Sequence, residues 1–256
     1  MRLEAHLRAR RDAGAKLLVP YVTGGLGPDW LDVVRAVVDA GADAVEIGIP
    51  FSDPVMDGPT IQEASQRALD AGATPATIVA EAAKLDVDAP LAVMTYYNPV
   101  HHTGHERFAA SLADAGIDGA IVPDLPLDEL DGWGDAADAA GIETVLLAAP
   151  TTPDDRLARI CERSRGFVYG VSLLGVTGER DSLAVNATDM GRRLKAMTDR
   201  PSLLGIGIST GPQAVEGAAA ADGVIVGSAL IKRLLDGDGP EGAGAFIGEL
   251  RKALDE

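Results

Sequence analysis

The chain has one cysteine, five lysines and no long apolar run, and each scarcity removes a class of chemistry. Cys161 has no partner for an internal disulfide and no cysteine companion for a zinc site, which fits a reducing compartment. Lys16, Lys84, Lys195, Lys232 and Lys252 all fall outside the apolar, β-branched runs from the second onwards. No Schiff-base lysine therefore projects from those strands, which argues against an imine-forming aldolase. No stretch approaches the roughly 18 apolar residues of a membrane span. The run at 17–21, which follows a charged, amphipathic turn or two at 1–11, is too short for the core of a signal peptide. A cytoplasmic location is expected. Positive charge is also scarce: 22 Lys and Arg against 39 Asp and Glu give a formal net charge of −17. Such a field repels phosphate polymers and anionic lipid, so neither nucleic acid nor a membrane is an expected partner.

What remains is an ordinary folded composition, with 46% apolar and 24% charged residues over 256 positions. That length suits one domain across 1–256. Short β-branched runs at 17–23, 44–49, 91–96, 120–123, 144–148, 167–171, 202–206 and 223–226 alternate with Ala-rich segments of helical period. Helical segments at 28–40, 60–71 and 104–115 end in Ala-Gly, and Gly41, Gly72, Gly116 and Gly141 suit left-handed helix stops. Eight βα units at this length predict a (β/α)8 TIM barrel, with its active site at the C-terminal ends of the strands. An open doubly wound sheet would show a glycine fingerprint after its first strand. The segment at 23–28, Thr-Gly-Gly-Leu-Gly-Pro, does not supply it.

The second run places Val45, Ile47 and Ile49 on one face and Ala44, Glu46 and Gly48 on the other. The aliphatic face suits the outer helices, so Glu46 is expected inside the barrel. Burial there raises a carboxyl pKa toward the range useful for acid–base catalysis; a structural ion pair is the competing role. Asp53 and Asp57 follow in a loop punctuated by Pro and Gly. Each alone suits turn chemistry, but with Glu46 they gather carboxylates at one barrel mouth.

Glycines cluster after the last three runs, at 175–178, 205–209 and 223–228, the last opening a short extra helix after strand 8. Their backbone amides and the helix N-terminus can cradle an anion, where barrels commonly bind a substrate phosphate; tight turns are the plainer use. His101, His102 and His105 lack a carboxylate placed with them and are expected as exposed loop histidines. Cys161 lies on a helical face with Leu157 and Ile160 and reads as core packing.

The segment 46–62, Glu-Ile-Gly-Ile-Pro-Phe-Ser-Asp-Pro-Val-Met-Asp-Gly-Pro-Thr-Ile-Gln, closely resembles the signature of the tryptophan synthase alpha chain family. Similar support comes from 20–24, 96–99, 122–126, Tyr169 with 175–178, 205–209 and Gly227-Ser228, in the family's order along nearly the whole chain.

The resemblance implies retro-aldol cleavage of indole-3-glycerol phosphate to indole and glyceraldehyde 3-phosphate, without a metal. Glu46 would protonate the indole C3 and take the glycerol hydroxyl proton, and Asp57 would accept the indole N–H. Tyr21, Tyr96, Asp124, Tyr169 and Thr177 would line the substrate, with Thr177 linking two lids carried by 53–57 and 175–180. Gly178, Gly207, Gly227 and Ser228 would hold the phosphate. Tyr21 stands where the family often has Phe, and Tyr97 adds bulk after the third strand. The implied partner is a tryptophan synthase β chain in an α2β2 complex, with pyridoxal phosphate on that partner and no cofactor here. A stand-alone lyase that releases free indole, and a catalytically silent phosphate-binding subunit, are the alternatives.

Overall fold

The computed structural model describes the backbone of residues 1–171 and 180–256 and the side chains of 1–171 and 188–256. The first half runs α1 (Arg2–Asp12), β1 (Leu17–Thr23), α2 (Trp30–Asp39), β2 (Val45–Gly48), α3 (Pro59–Asp70), α4 (Pro75–Ala82), β3 (Leu91–Met94), α5 (Tyr97–Thr103), α6 (His105–Asp114) and β4 (Gly119–Ile121). The second half runs α7 (Asp131–Ala140), β5 (Glu143–Ala148), α8 (Asp154–Arg163), β6 (Val168–Val171), α9 (Arg180–Met197), β7 (Ser202–Gly205), α10 (Gly211–Ala220), β8 (Gly223–Val226), α11 (Ser228–Asp236) and α12 (Gly239–Asp255). All strand pairs are parallel, and the sheet closes in sequence order with β8 against β1. This is the expected TIM barrel, and α11 is the expected short helix after the eighth strand.

Strands buried on both faces read as continuous apolar runs because helices cover the outside and neighbouring side chains fill the inside. Leu18, Val22, Val45, Ile47 and Ile49 join the outer cluster beneath the helices. Leu17, Val19, Ala44, Ala92, Ile121, Phe167, Leu203 and Ile225 fill the lumen. The predicted helix stops hold: Gly41, Gly72, Gly116 and Gly141 all have positive φ. Several strands are shorter than their apolar runs. β3 stops at Met94, so Tyr96 leaves the sheet and becomes the N-cap of α5.

The N-terminal segment is more than a turn or two. It forms three turns of helix whose Leu3 and Leu7, both fully buried, plug the N-terminal end of the barrel within the lumenal cluster. Buried Glu143 on β5 accepts the N–H groups of Leu3 (2.7 Å) and Glu4 (3.0 Å), supplying acceptors that the first turn of a helix otherwise lacks. Arg10 bonds Asp43 (2.7 Å), which also accepts the Leu18 N–H (2.8 Å) and meets Arg251 of α12 (3.2 Å). The closed bottom leaves the C-terminal strand ends as the mouth. Among the described residues, no helix is long and apolar enough to cross a membrane.

Candidate active site

Glu46 points into the lumen as alternation requires and is 1% exposed. Its Oε2 has no hydrogen-bond partner among the described residues. Burial first, and the charge of Asp57 second, push its carboxyl up to about 8. A carboxyl in that state holds its proton near neutral pH and can give it up and regain it at small cost, the property a general acid–base group needs. The ion-pair alternative finds no support, since Glu46 has no salt-bridge partner among the described residues.

Asp57 sits half-buried at the end of the β2–α3 loop, and its backbone carbonyl accepts the Gln62 side-chain amide (2.7 Å). Burial raises its carboxyl, while the neighbouring Tyr96 hydroxyl pulls it back. Tyr96 also accepts the Met56 N–H (3.0 Å) and stacks on Phe51, with centroids 5.2 Å apart. The α5 cap thus pins the loop that carries Asp57. Asp53 departs from the expected carboxylate cluster: it is exposed and takes the Ser52 hydroxyl (2.6 Å), leaving Glu46 and Asp57 as the interacting pair.

Tyr21 and Tyr169 complete the wall around Glu46. Tyr21 lies opposite Glu46 in the β1–β2 register, and burial, then the charges of Asp57 and Glu46, raise its phenol. Its ring tip occupies the place where a side chain on Gly48 would stand, so Gly48 is required by this close approach. Tyr169 on β6 is also raised, by burial and then by Glu46. Its ring edge approaches Gly205 of β7, where an added Cβ would lie 2.5 Å from Cε2. Asp124 is exposed on the loop after β4, and its Oδ1 accepts the Tyr97 N–H (2.8 Å) at the first turn of α5. It fixes the same helix start that places Tyr96.

On the far side of β1, Gly207 follows β7 with φ +75°, and Gly227 caps α11, whose first residue, Ser228, is exposed. These groups lie at the ends of neighbouring strands, and α11, which begins at Ser228, presents the N–H groups of its first turn there. Thr177 and Gly178 lie outside the described residues.

His101 and His102 are exposed as expected, but all three histidines lie on helices rather than in a loop, and His105 is half-buried. His101 and His102 belong to α5, and His105 opens α6, half-buried beside Trp133 with Nε2 3.1 Å from the Tyr97 hydroxyl. Among the described residues, no three His, Cys, Asp or Glu side chains gather to hold a metal ion. Cys161 is 3% exposed in the core under α8, as expected, and burial raises its thiol. A groove of about 430 Å³ runs between α4 and α6, lined by Val79, Phe108 and Ser111, but it belongs to the outer helical layer and lacks the carboxylate pair.

Sequence reasoning did not single out Thr23, Gly48 as the alcove for Tyr21, or Phe51 under Tyr96. The same alternation that placed Glu46 also puts Thr23 on the lumenal face with Tyr21, two positions along β1.

A family model of the tryptophan synthase alpha chain matches residues 7–245. The Streptomyces coelicolor tryptophan synthase alpha chain is 44% identical over 256 residues, covering 97% of this chain and 94% of that protein. The Chloroflexus aurantiacus alpha chain is 47% identical over 258 residues, covering 98% and 96%. Among solved structures, tryptophan synthase of Mycobacterium tuberculosis superposes with a TM-score of 0.91 at 38% identity, covering 99% of this chain and 98% of that one. Subunit alpha of the Legionella pneumophila enzyme gives 0.90 at 33% identity, covering 99% and 98%. With its eight-stranded barrel and the Glu46–Asp57 pair at the mouth, the chain belongs to the tryptophan synthase alpha chain family.

Proposed function

We propose that Glu46 is the proton carrier and Asp57 the indole anchor in the reaction of this family. The chain is a carbon–carbon lyase that cleaves indole-3-glycerol phosphate to indole and glyceraldehyde 3-phosphate and works with a tryptophan synthase β chain. The observation that carries the assignment of Glu46 is its lumenal carboxyl, whose Oε2 has no partner among the described residues and whose pKa is pushed up to about 8.

Glu46 in its acid form gives its proton to C3 of the indole, which places positive charge on the ring nitrogen. Asp57, ionised, accepts the indole N–H and stabilises that charge. The bond between C3 and the glycerol carbon then breaks, and its electron pair returns to the ring and restores indole. The Glu46 carboxylate removes the proton of the hydroxyl on the departing carbon, which becomes the aldehyde. Glu46 is thereby returned to its acid form. The protonated ring is the electron sink, so no imine is required.

Tyr21, Tyr96 and Tyr169 wall the indole end, with Asp124 acting through the start of α5. Gly207, Gly227 and Ser228 hold the phosphate; the roles that the resemblance implies for Thr177 and Gly178 fall on residues outside those described. The partner assembly is α2β2. Pyridoxal phosphate supplies imine chemistry on the β chain, and the strands of this barrel present no lysine to hold it. The chain is a single domain and cytoplasmic, in keeping with a lone buried cysteine.

The test is release of indole and glyceraldehyde 3-phosphate from indole-3-glycerol phosphate, by the chain alone and with a β chain plus serine. Slow cleavage alone and strong acceleration with the partner are expected. Fast cleavage alone would identify an autonomous lyase, and none in either condition with a competent β chain would overturn the reading.

A further inference from the structure

Two side-chain oxygens in the lumen lack any hydrogen-bond partner among the described residues: Oε2 of Glu46 and Oγ1 of Thr23. Buried polar atoms are nearly always paired, because an unmade bond forfeits the hydration lost on burial. Glu46 has a chemical use for that state. Thr23 has no use in the reaction as described, yet it is fully buried at the last position of β1. Its register partner is Gly48, two residues beyond Glu46 on the same lumenal face of β2. The Tyr21 hydroxyl is its polar neighbour, close enough for Thr23 to pull that phenol down against the effect of burial, but the two do not meet the distance and angles of a full hydrogen bond.

The strand order says what would meet this hydroxyl. The barrel runs β8, β1, β2, so β1 separates Gly227 and Ser228 at the end of β8 from Glu46 on β2. A substrate whose phosphate lies at the first and whose reacting carbon lies at the second must lay the intervening three-carbon chain across the end of β1. That chain carries two hydroxyl groups. Whatever motion admits the indole to Glu46, itself only 1% exposed, opens the same lumen at Thr23.

We propose that the Thr23 hydroxyl binds a hydroxyl of the substrate's glycerol chain and so fixes the reacting carbon against Glu46. This rests on the functional reading given above.

The test uses Thr23→Val, which keeps the shape and loses the hydroxyl, and Thr23→Ser, which keeps it, both in the complex with the β chain. Thr23→Val should lower kcat/KM by about 3- to 10-fold, the worth of one neutral hydrogen bond, and Thr23→Ser should restore most of it. The melting temperature of Thr23→Val should equal or exceed that of the wild type, because no full hydrogen bond among the described residues is lost. Affinity, titrated in a Glu46→Gln background that does not turn over, should fall for indole-3-glycerol phosphate but not for indole-3-propanol phosphate, which lacks both chain hydroxyls. Unchanged kcat/KM, or equal weakening of both ligands, overturns the proposal, as does a melting temperature that falls without rescue by serine. Normal turnover by Glu46→Gln would instead overturn the functional reading itself, so the two failures are distinguishable.

Discussion

Replacing Glu46 by glutamine separates catalysis from stability in one variant. The glutamine has nearly the same shape but cannot ionise. The wild-type carboxyl is moved from 4.5 to about 8 by burial and by Asp57. The folded chain therefore binds this proton more tightly than the unfolded chain does, so the group's contribution is fully present below pH 4.5 and is lost as pH rises toward 8. At about 1.4 kcal/mol per pKa unit, that loss is about 3 kcal/mol at pH 7 and about 5 kcal/mol near pH 9. Urea unfolding of the two proteins at pH 5, 7 and 8.5 measures the difference, in which the other titrating groups largely cancel. Glu46→Gln should match the wild type within about 1 kcal/mol at pH 5 and become progressively more stable above it. The same variant should lose about 10²- to 10⁴-fold in turnover, the usual consequence of removing a general acid–base group. A stability difference independent of pH, or near-normal turnover, would refute the argument that this carboxyl is held protonated for chemistry.

Three further outcomes follow from the packing. Because the Asp57 charge raises Glu46, Asp57→Asn should move the high-pH limb of the kcat/KM profile from near 8 to lower pH and also reduce the rate; an unmoved limb would show the pair to be uncoupled. Gly48→Ala places a Cβ on the rigid, buried Tyr21 ring tip, so stability should fall by about 1–3 kcal/mol and cleavage should weaken, whereas a double variant with Tyr21→Leu should recover stability. Leu3→Ala empties the plug at the closed end and should cost about 2–5 kcal/mol in urea unfolding while kcat/KM at 25 °C stays near wild type; an equal loss of activity would show that the two ends of the barrel are coupled.

Much of this protein is legible in its residues because the barrel repeats one local rule. Each strand is a short apolar run, several helices stop at a glycine with positive φ, among them α2, α3, α6, α7 and α11, and the repetition leaves little choice of topology. Glu46 stands out because a carboxylate interrupts the small residues of a lumenal face, and alternation alone aims it inward. The N-terminal helix is harder to read: Leu3 and Leu7 look like an ordinary amphipathic segment until the open end of a barrel supplies the surface they cover. The end of β3 is equally hidden, since Tyr96 suits a strand by propensity and leaves it only because its hydroxyl and ring hold the Asp57 loop. Asp53 and Asp57 look alike in the sequence, and burial together with the nearby Tyr96 hydroxyl distinguishes them.

By itself, then, the order of residues determined the architecture, the inward carboxylate and the family, because these depend on periodicity and on motifs contiguous in the chain. Tertiary structure decided that Glu46 is buried with its carboxyl pushed up to about 8, that Asp57 rather than Asp53 couples to it, that the Tyr21 ring fills the alcove at Gly48, and that Oε2 of Glu46 and the Thr23 hydroxyl have no partner among the described residues. Proton affinity and hydrogen-bond satisfaction are set by what surrounds an atom, and closing the barrel brings β1 and β2 into register with strands and loops far away in the sequence.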